Sequence, residues 1–574
     1  MKGWPLHATR ESVSYAVALL NKPEQAMYGR ATRIIDQVIR LQINQASHQH
    51  RGNWPKYWEE HHFKTYRIDP NRANFISTDL IEILISHRDK LSNRLIRKID
   101  TAILNAAEYI RNREIPLPYT NILVSSIYVT TITGQMYKNS DLLCHGLRLL
   151  RDFHAHTFDK NSFTEYNSPV YQVLSLKHLA RLKRDVEDWE AQALVKDLYK
   201  LAWKNIAEHF HPPTQQWAGP HSRSYSSLTQ PQVIHLVQES TTEAVKLHIS
   251  SNDIGLNVRK VPCTCPPDLE HYFIALKKSR TVTQVLQTGQ RLTTYLNPKF
   301  SLGSISFSDL WHQRNAMIAY WGTPEFPCYA RMRFLNEGRD WSAAQFKSIQ
   351  NEGRVLAGIN LATDVDFWNP YVKNKTQNQS FSLKNLRLRF EFNSYEETHI
   401  EVEQIPKDLS QPVVLKHGEF YFNIGIAFAK FGGIDYKWEF HSSNSIDYLD
   451  LVIYDGFNSP ISLSNLKEAV FGMTFEICSS PSSPFLGDFS LVEQDSHIDM
   501  KWADMHLNLW KRPAPQLVLM ESLKLASPAN HVVNPSTICN GLGSQSSNNS
   551  QLVASGVASD SSLPPSNMNI KSVC

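Results

Sequence analysis

Two short segments in the first half of the sequence concentrate residue types that transfer protons and stabilise anions. The first, NSFTEYNSPVY, covers residues 161–171 and contains Glu165, Tyr166, Asn167 and Tyr171. Its Asn-Ser-Pro triplet is typical of a helix start, and a well-capped helix would account for those three residues. A capped helix does not account for one carboxylate and two phenols at the same helix start. We therefore interpret this segment as a candidate functional site.

The second segment, WAGPHSRSY, covers residues 217–225 and begins with Trp217. Its Gly-Pro pair predicts a turn, after which His221, Arg223 and Tyr225 occupy alternate positions. In an extended chain these three side chains share one face, whereas in a helix His221 and Tyr225 lie one turn apart. Both conformations bring an imidazole and a phenol into one neighbourhood, which favours a functional role over a purely structural one.

Weaker signals lie upstream of these segments. The stretch GNWPKYW, residues 52–58, is rich in turn formers and aromatic side chains. Trp54 and Tyr57 can serve there either as a platform for sugar rings or as core residues. The sequence PYTN, residues 118–121, opens another predicted helix and can direct Tyr119 or Asn121 inward.

Asn, Arg, His and Tyr together suit the cleavage of a uronic-acid polysaccharide by β-elimination. The proton at C5 lies next to a carboxylate, and its removal develops a second negative charge. Asn, Arg or a cationic His can stabilise that charge by hydrogen bonds that strengthen as it develops. Tyr or His can take the proton and protonate the leaving glycosidic oxygen. The two segments supply every residue type that this reaction needs.

The remaining sequence features narrow the class of protein. The Glu-Glu-His-His run at 59–62 lacks the HExxH spacing of a zinc helix, so no metal is expected. No phosphate-binding or dinucleotide-binding glycine motif occurs in the sequence, so no cofactor is expected either. Lys and Arg number 59 against 55 Asp and Glu, a net charge of +4, and we expect no nucleic-acid partner. The most apolar stretch, residues 119–137, is interrupted by Asn, Ser and Thr, so no membrane span is expected either.

Location and oligomeric state are less constrained by the sequence. The N-terminus lacks a continuous apolar core typical of a signal peptide. Seven scattered cysteines suit reduced thiols. These features predict a cytoplasmic protein by default, with another export route left open and the oligomeric state unknown.

The elements that must position these residues change character along the chain. Helical periodicity recurs over the first third, in stretches near 24–43, 76–88, 92–111, 119–137, 140–156, 168–183 and 187–209. Alternating strands follow, as in LRLRFEF at 386–392 and HIEVE at 399–403. The sequence predicts a helical domain over 1–262, an antiparallel β-sandwich over 263–515 and a disordered low-complexity tail over 516–574.

Helical hairpins followed by a β-sandwich, with the NSPxY and HSRSY blocks in the helical part, resemble the chondroitin AC lyase, alginate lyase and heparinase II/III-like group. The resemblance in architecture covers about residues 5–510. It implies an (α/α) toroid, here incomplete, followed by an antiparallel sandwich, with a substrate cleft between them.

The resemblance also implies roles for individual residues. Asn167 would neutralise the substrate carboxylate, His221 would assist it or act as base, Tyr225 would act as acid, and Arg223 would fix the substrate. Tyr166 and Tyr171 are reserve candidates for the phenol role, and the base stays open between Tyr and His. The predicted substrate-binding set is Tyr166, Tyr171, Glu165, Trp217, Trp54, Tyr57, Tyr119 and Asn121.

Acidic glycans are the expected partners, and Arg223, Arg51, Lys56 and Arg314 are expected to make the cleft positive. Two alternatives stay open. One is a toroid glycoside hydrolase that uses paired carboxylates, Glu165 with Glu59 or Glu60. The other is a glycan-binding protein without catalytic activity.

Overall fold

The computed structural model describes residues 6–60, 68–249, 263–310, 313–364, 380–393, 399–409, 411–432, 436–443, 445–479 and 489–525. Within these ranges the chain forms helices first and antiparallel strands afterwards, so the predicted order of elements is confirmed. The predicted tail from 526 onward and the His61-His62 pair lie outside the described residues.

The helical half consists of helices joined by short connections. A Ser, Asn or Asp side chain caps several of them: Ser92 accepts a hydrogen bond from the backbone N–H of Leu95, and Asp188 does so from Ala191. The helices are α1 (Thr9–Leu20), α2 (Gln25–Arg40), α3 (Arg72–Ser86), α4 (Asn93–Arg111), α5 (Thr120–Met136), α6 (Ser140–Asp159), α7 (Tyr171–Asp185), α8 (Trp189–His209) and α9 (Pro231–Ser240).

Helix α5 forms the centre of the helical half. It is buried on nearly every face and packs against α3, α4, α6 and α7. Several of its hydroxyl side chains bond within the helix, as Ser126 and Thr130 do to the carbonyls of Ile122 and Ser126. This explains why the most apolar stretch of the sequence also tolerates many Ser and Thr residues. Among the described helices, none combines the length and apolar character that crossing a membrane requires.

Strands follow the helical half, after the short pair β1 and β2 that precedes α9. One sheet of nine strands has the order β15-β16-β11-β7-β6-β5-β4-β3, with β8 paired to β7, and a second sheet has the order β12-β13-β14-β17-β10-β9. The strands are β1 (Phe210–His211), β2 (Gln216–Trp217), β3 (Arg280–Val285), β4 (Arg291–Leu296), β5 (Phe300–Ile305), β6 (Met317–Gly322), β7 (Pro327–Asn336), β8 (Arg339–Asp340), β9 (Ala344–Asn351), β10 (Arg354–Leu361), β11 (Ser380–Asn393), β12 (Glu401–Gln404), β13 (Val413–His417), β14 (Phe420–Phe431), β15 (Lys437–Ser442), β16 (Ile446–Ser462), β17 (Ala469–Cys478), β18 (Phe489–Glu493), β19 (His497–Trp502) and β20 (Met505–Trp510).

The two large sheets share one hydrophobic core. Phe390 of β11 stacks on Phe475 of β17 with ring centroids 6.2 Å apart, and Trp321 of β6 meets Phe422 of β14 at 4.8 Å. These contacts join alternate side chains of both sheets, as the alternating sequence pattern predicts.

A third sheet, with the order β18-β19-β20, covers the outer face of the second large sheet. Met500 and Leu509 of this sheet share a core with Leu356 of β10 and Val470 of β17. The sequence analysis predicted only two stacked layers. The third layer explains why the strands of the second sheet carry apolar residues on both faces.

Two boundaries differ from the predicted domain limits. Residues 263–273, assigned by sequence to the second domain, pack in the helical core, where the Phe273 ring lies 5.1 Å from that of Phe210. Residues Gln516–Leu525, assigned to the tail, form helix α10. Leu519 of α10 is buried against the sheet core, because its LVLM stretch offers apolar area that the rest of the predicted tail lacks.

Candidate active site

A cleft of about 420 Å³ opens where several helices begin. Its walls come from residues just before, or within the first two turns of, α1, α3, α5, α7 and α9, so these helices point their N-termini toward it. Helix N-termini carry partial positive charge and unpaired N–H groups, which favour anions. The polar and charged side chains that line the cleft include Arg10, Asp69, Asn71, Tyr119, Asn121, Tyr171, Lys177, Tyr225, Gln230 and Gln232.

A chain of hydrogen bonds ends at an exposed phenol in this cleft. Arg223 Nη2 donates to Tyr171 Oη at 2.9 Å, and the guanidinium lies 4.0 Å from the centroid of the Tyr171 ring. Tyr171 Oη in turn shares a short hydrogen bond with Tyr225 Oη. Tyr225 is 61% exposed, so its oxygen is accessible to a molecule bound in the cleft.

Glu165 anchors the other end of the chain at the start of α5. Its Oε1 accepts from Arg223 Nη1 at 2.6 Å, and its Oε2 accepts from the backbone N–H of Asn121 at 3.0 Å. The Asn121 side chain donates to both carboxylate oxygens, at 2.9 and 2.7 Å. A buried carboxylate at a helix N-terminus, paired with a guanidinium, fixes the position of that guanidinium.

Tyr171 is held as a neutral phenol. Its partial burial and its hydrogen bond with Tyr225 raise the pKa of Tyr171, and Arg223 only partly opposes this. Either phenol can donate in the hydrogen bond between them, and with Arg223 donating to Tyr171 Oη, the Tyr171 O–H is in position to donate to Tyr225. Of the two phenols, Tyr225 is the more exposed, so it is the one placed to meet a molecule bound in the cleft.

The loop of residues 217–230 carries both Arg223 and Tyr225 and is fixed from two sides. On the helical side, Ser168 Oγ donates to the Arg223 carbonyl at 2.6 Å. On the sheet side, the backbone N–H of Ser224 donates to the Gln313 carbonyl at 2.8 Å, and Gln313 Oε1 lies 3.3 Å from Arg223 Nε and Nη2. Both halves of the chain are thus needed to position the loop.

The loop also approaches the nine-stranded sheet closely at its start. Thr294 Oγ1 donates to the Gly219 carbonyl at 2.5 Å. A Cβ atom on Gly303 of β5 would lie 1.8 Å from that carbonyl oxygen, so only glycine fits at Gly303.

Asn167 packs against the start of the loop at Trp217, and neither residue lines the cleft. Asn167 Nδ2 donates to the carbonyls of Ala218 and Pro220 at 2.9 and 2.8 Å, and its Oδ1 accepts from Trp217 Nε1. The Asn167 backbone has a φ of 42°, which Asn tolerates better than most residues. Its amide is used to shape the loop, and both side chains are buried.

His221 is buried between the two halves and 2% exposed. Its Nδ1 lies 2.7 Å from the Asn167 carbonyl oxygen, and its Nε2 lies 3.4 Å from Tyr320 Oη. Burial lowers the pKa of His221 to about 4, so the ring is neutral near pH 7. In this position the imidazole cross-links the loop to β6 and does not face the cleft.

The other predicted residues separate into two groups. Tyr119, Asn121, Tyr171 and Tyr225 line the cleft, with Glu165 and Arg223 directly behind them. Trp54, Tyr57, Tyr166 and Trp217 do not line it.

Trp54 and Tyr166 have structural surroundings. Trp54 is fully buried in the helical core, where its Nε1 donates to the Val38 carbonyl at 2.9 Å. Tyr166 is buried in the core shared by the two large sheets, with its Oη 3.5 Å from Asp309. Large aromatic side chains more often pack cores than bind sugars, and these two follow that rule.

Of the four predicted basic residues, Arg223 contacts the cleft lining through Tyr171, and the other three are not part of that lining. Arg314 is mostly enclosed and bonds to the carbonyls of Trp341 and Ala344, and burial lowers its pKa to about 10. Arg51 is exposed, and Lys56 stands 5.2 Å over the ring of Tyr57. The cations that line the cleft within the described residues are Arg10 and Lys177.

Sequence reasoning missed Asn71, Arg113, Lys177 and Gln313. Arg113 Nη2 donates to Asn71 Oδ1 at 2.9 Å, and Asn71 Nδ2 donates to Tyr119 Oη at 3.0 Å. A signal for Asn71 was present, because IDPN at 68–71 is a turn just before a helix, like PYTN before α5. No comparable signal marks Gln313, which reaches the site only through the packing of the two halves.

A family model described as a domain of unknown function (DUF8769) matches residues 4–247, the helical half. No relative among curated proteins matches the sequence.

Solved structures similar to this chain include several polysaccharide lyases. A Streptomyces coelicolor A3 chondroitin AC lyase in complex with chondroitin sulphate has 11% identity and a TM-score of 0.45, covering 87% of this chain and 80% of that one. A heparinase III has 8% identity and a TM-score of 0.43, covering 85% and 80%. A Pedobacter heparinus heparan sulfate lyase has 8% identity and a TM-score of 0.32, covering 89% and 84%. These structures belong to the group that the sequence resembles.

Proposed function

We propose that this chain is a polysaccharide lyase that cleaves a uronic-acid-containing glycan by β-elimination. The observation that carries the proposal is the accessible phenol of Tyr225, which is hydrogen-bonded to the partly buried phenol of Tyr171, and Tyr171 in turn receives a hydrogen bond from Arg223. The fold that goes with this function is an incomplete α/α toroid followed by a β-sandwich, and the partner is an acidic polysaccharide.

Tyr225 transfers the proton in this proposal. As a phenolate it takes the C5 proton, because Tyr171 offers its own proton to the Tyr225 oxygen and Arg223 reinforces that hydrogen bond. General-base catalysis by a positioned side chain contributes roughly 100-fold to 10,000-fold in rate. Arg223 thus acts through Tyr171, with Glu165 holding the guanidinium in place.

The substrate carboxylate meets the positive side of the cleft. The lining contains two cations, Arg10 and Lys177, and one carboxylate, Asp69, among the described residues. The N-termini of five helices add to this positive potential. Charge that develops on the carboxylate as the C5 proton leaves is stabilised by these groups. Asn167 and His221 then serve as positioning residues that shape the 217–230 loop.

The paired-carboxylate hydrolase has weaker support. Glu165 is buried behind the cleft lining, and its two oxygens accept hydrogen bonds from Arg223 and Asn121, so the carboxyl group does not face a molecule in the cleft. Glu59 accepts from the backbone of His7, and Glu60 accepts from that of Lys56. A hydrolase needs one protonated and one ionised carboxyl group across the bond that is cleaved, and this arrangement does not provide the pair.

The test is the ultraviolet absorbance of unsaturated uronate products on a panel of uronic-acid polymers. We expect absorbance to rise with the wild-type chain. With Tyr225→Phe, the rate of that rise should be lower by roughly 100-fold or more. Tyr137→Phe is the matched control, since Tyr137 directly follows α5 and its phenol donates to Asp100 of α4 at 2.7 Å, outside the cleft lining. New reducing ends without ultraviolet absorbance would indicate hydrolysis. Binding without either product would indicate a non-catalytic glycan-binding protein.

A further inference from the structure

A second phenol in the same cleft has a supporting arrangement that parallels that of Tyr225. Tyr119 stands immediately before α5, and its oxygen accepts a hydrogen bond from Asn71 Nδ2 at 3.0 Å. Asn71 is itself fixed by Arg113, whose Nη2 donates to Asn71 Oδ1 at 2.9 Å and whose Nη1 donates to the Pro70 carbonyl at 2.6 Å. Two arginines therefore support two cleft-lining tyrosines, each through one intermediate residue.

The two phenols differ in what their intermediates donate. Tyr171 gives Tyr225 a phenolic hydrogen bond that is reinforced by a guanidinium bonded to the same oxygen. Asn71 gives Tyr119 a neutral amide hydrogen bond, because Arg113 bonds to the opposite, carbonyl end of that amide. Support for a phenolate is therefore stronger at Tyr225.

Tyr119 is suited to the opposite task of giving a proton. Burial raises the pKa of Tyr119, which keeps the phenol protonated. Its oxygen already accepts from Asn71, and within the described ranges no residue accepts its O–H. The nearby Arg223 guanidinium moderates the rise in pKa, so a phenolate that forms at Tyr119 during turnover has a cation close by.

We propose that proton transfer in this cleft is divided between two tyrosines, with Tyr225 as base and Tyr119 as acid. This inference rests on the proposed lyase function. The C5–H bond breaks and its proton passes to the Tyr225 phenolate, while the electron pair forms the C4–C5 double bond. The C4–O4 bond breaks, and the departing glycosidic oxygen takes the proton of Tyr119. Each turnover thus moves one proton from Tyr119 to Tyr225, and exchange with water restores both phenols.

A change of leaving group tests this division. In a uronide polymer, the departing glycosidic oxygen requires protonation. In a uronide with a 4-nitrophenoxy group at C4, the 4-nitrophenolate departs without taking up a proton. We expect Tyr119→Phe to lower kcat on the polymer by roughly 100-fold or more and to leave kcat on the aryl substrate within roughly threefold of wild type. Tyr225→Phe should lower kcat on both substrates, because both need the C5 proton removed.

Two further variants separate chemistry from structure. Asn71→Asp places a carboxylate where it accepts a hydrogen bond from the Tyr119 O–H, which then no longer points at the leaving oxygen. This variant should therefore lower kcat on the polymer and not on the aryl substrate. Tyr137→Phe should leave both substrates unaffected, and thermal melting checks that each variant is folded. An equal loss on both substrates with Tyr119→Phe, or no loss on either, would overturn the assignment of Tyr119 as acid. If the wild-type chain eliminates from neither substrate, the lyase function itself is overturned.

Discussion

The phenols of Tyr171 and Tyr225 share a hydrogen bond although 54 residues of sequence separate them. Tyr171 is the first residue of α7, and Tyr225 lies on the 217–230 loop. Their contact joins the two segments that sequence analysis selected independently. It also places an exposed phenol at the end of a hydrogen-bond chain that begins at a buried ion pair.

Replacing the guanidinium that supports this pair should reduce activity without unfolding the protein. Arg223→Lys keeps the positive charge but cannot contact Glu165, Tyr171 and Gln313 together, since a lysine lacks the planar fork. We expect kcat on a uronide polymer to fall roughly 10-fold to 100-fold, by loss of the oriented hydrogen bond to Tyr171. Steady-state kinetics of product absorbance measures the change.

Arg151→Lys is the matched control for that substitution. Arg151 also makes a two-pronged contact with a carboxylate, Glu190, but does so on the surface between α6 and α8. It should leave kcat unchanged. If Arg223→Lys and wild type had the same kcat, the proposed role of Arg223 in proton transfer would be contradicted.

Glu165 should matter for stability as well as activity. Glu165→Gln removes the charge that pairs with the Arg223 guanidinium while keeping the shape of the side chain. Breaking a largely buried ion pair from one side costs about 3 kcal/mol, since the remaining charge loses its partner. Chemical denaturation of wild type and variant measures the difference in the free energy of unfolding. The surface variant Glu190→Gln should show no measurable difference, and a similarly silent Glu165→Gln would contradict the anchoring role.

The helical half was largely predictable because apolar periodicity and helix-start residues are local signals. The predicted stretches near 92–111 and 140–156 correspond to α4 and α6. The turns before helices were the informative places for function, since PYTN and NSPVY both contribute residues to the cleft. Local patterns also indicated the alternating strands of the sheets.

Side-chain direction within those segments was not predictable. Asn167 and Tyr171 lie close in sequence, yet Asn167 shapes the loop while Tyr171 lines the cleft. The outcome depends on the left-handed backbone at Asn167 and on the packing of β6 against His221. Such contacts arise between halves of the chain and have no local sequence signature.

A substitution of Gln313 tests whether the sheet half of the chain contributes to the proposed reaction. Its carbonyl accepts from Ser224, and its side chain accepts from Arg223, so it fixes the loop from outside the helical half. We expect Gln313→Ala to lower kcat roughly 10-fold with little change in KM, because the variant loosens Arg223 but leaves the cleft lining intact. Gln284→Ala removes another sheet-to-helix contact, to the Asn161 carbonyl, and is the matched control. The same loss in both variants would point to general loosening of the two halves.

Three buried histidines at the junction of the two halves should make the free energy of unfolding depend on pH. The loss of stability on acidification should begin at pH values above those at which carboxylates take up protons. Burial lowers the pKa of His209, His211 and His221 to about 4 each, against 6.5 for an ordinary His. His211 is fixed as a neutral ring between Thr214 Oγ1 and the Asn297 carbonyl, at 2.7 and 2.8 Å. Such a group contributes its full stability above pH 6.5 and loses it as pH falls toward 4, because the unfolded chain takes up the proton first.

The expected loss is about 3 kcal/mol for each histidine over that window, from the size of the pKa difference. Denaturant unfolding at steps between pH 7 and pH 4.5 measures it, and most of the decline should precede the protonation of carboxylates. His441→Gln, which removes an exposed imidazole on β15, should leave the slope unchanged. His221→Gln should make the slope shallower, because one proton fewer distinguishes the unfolded from the folded chain. A free energy of unfolding that stays level from pH 7 to pH 5 would show that these rings accept protons without losing their buried contacts.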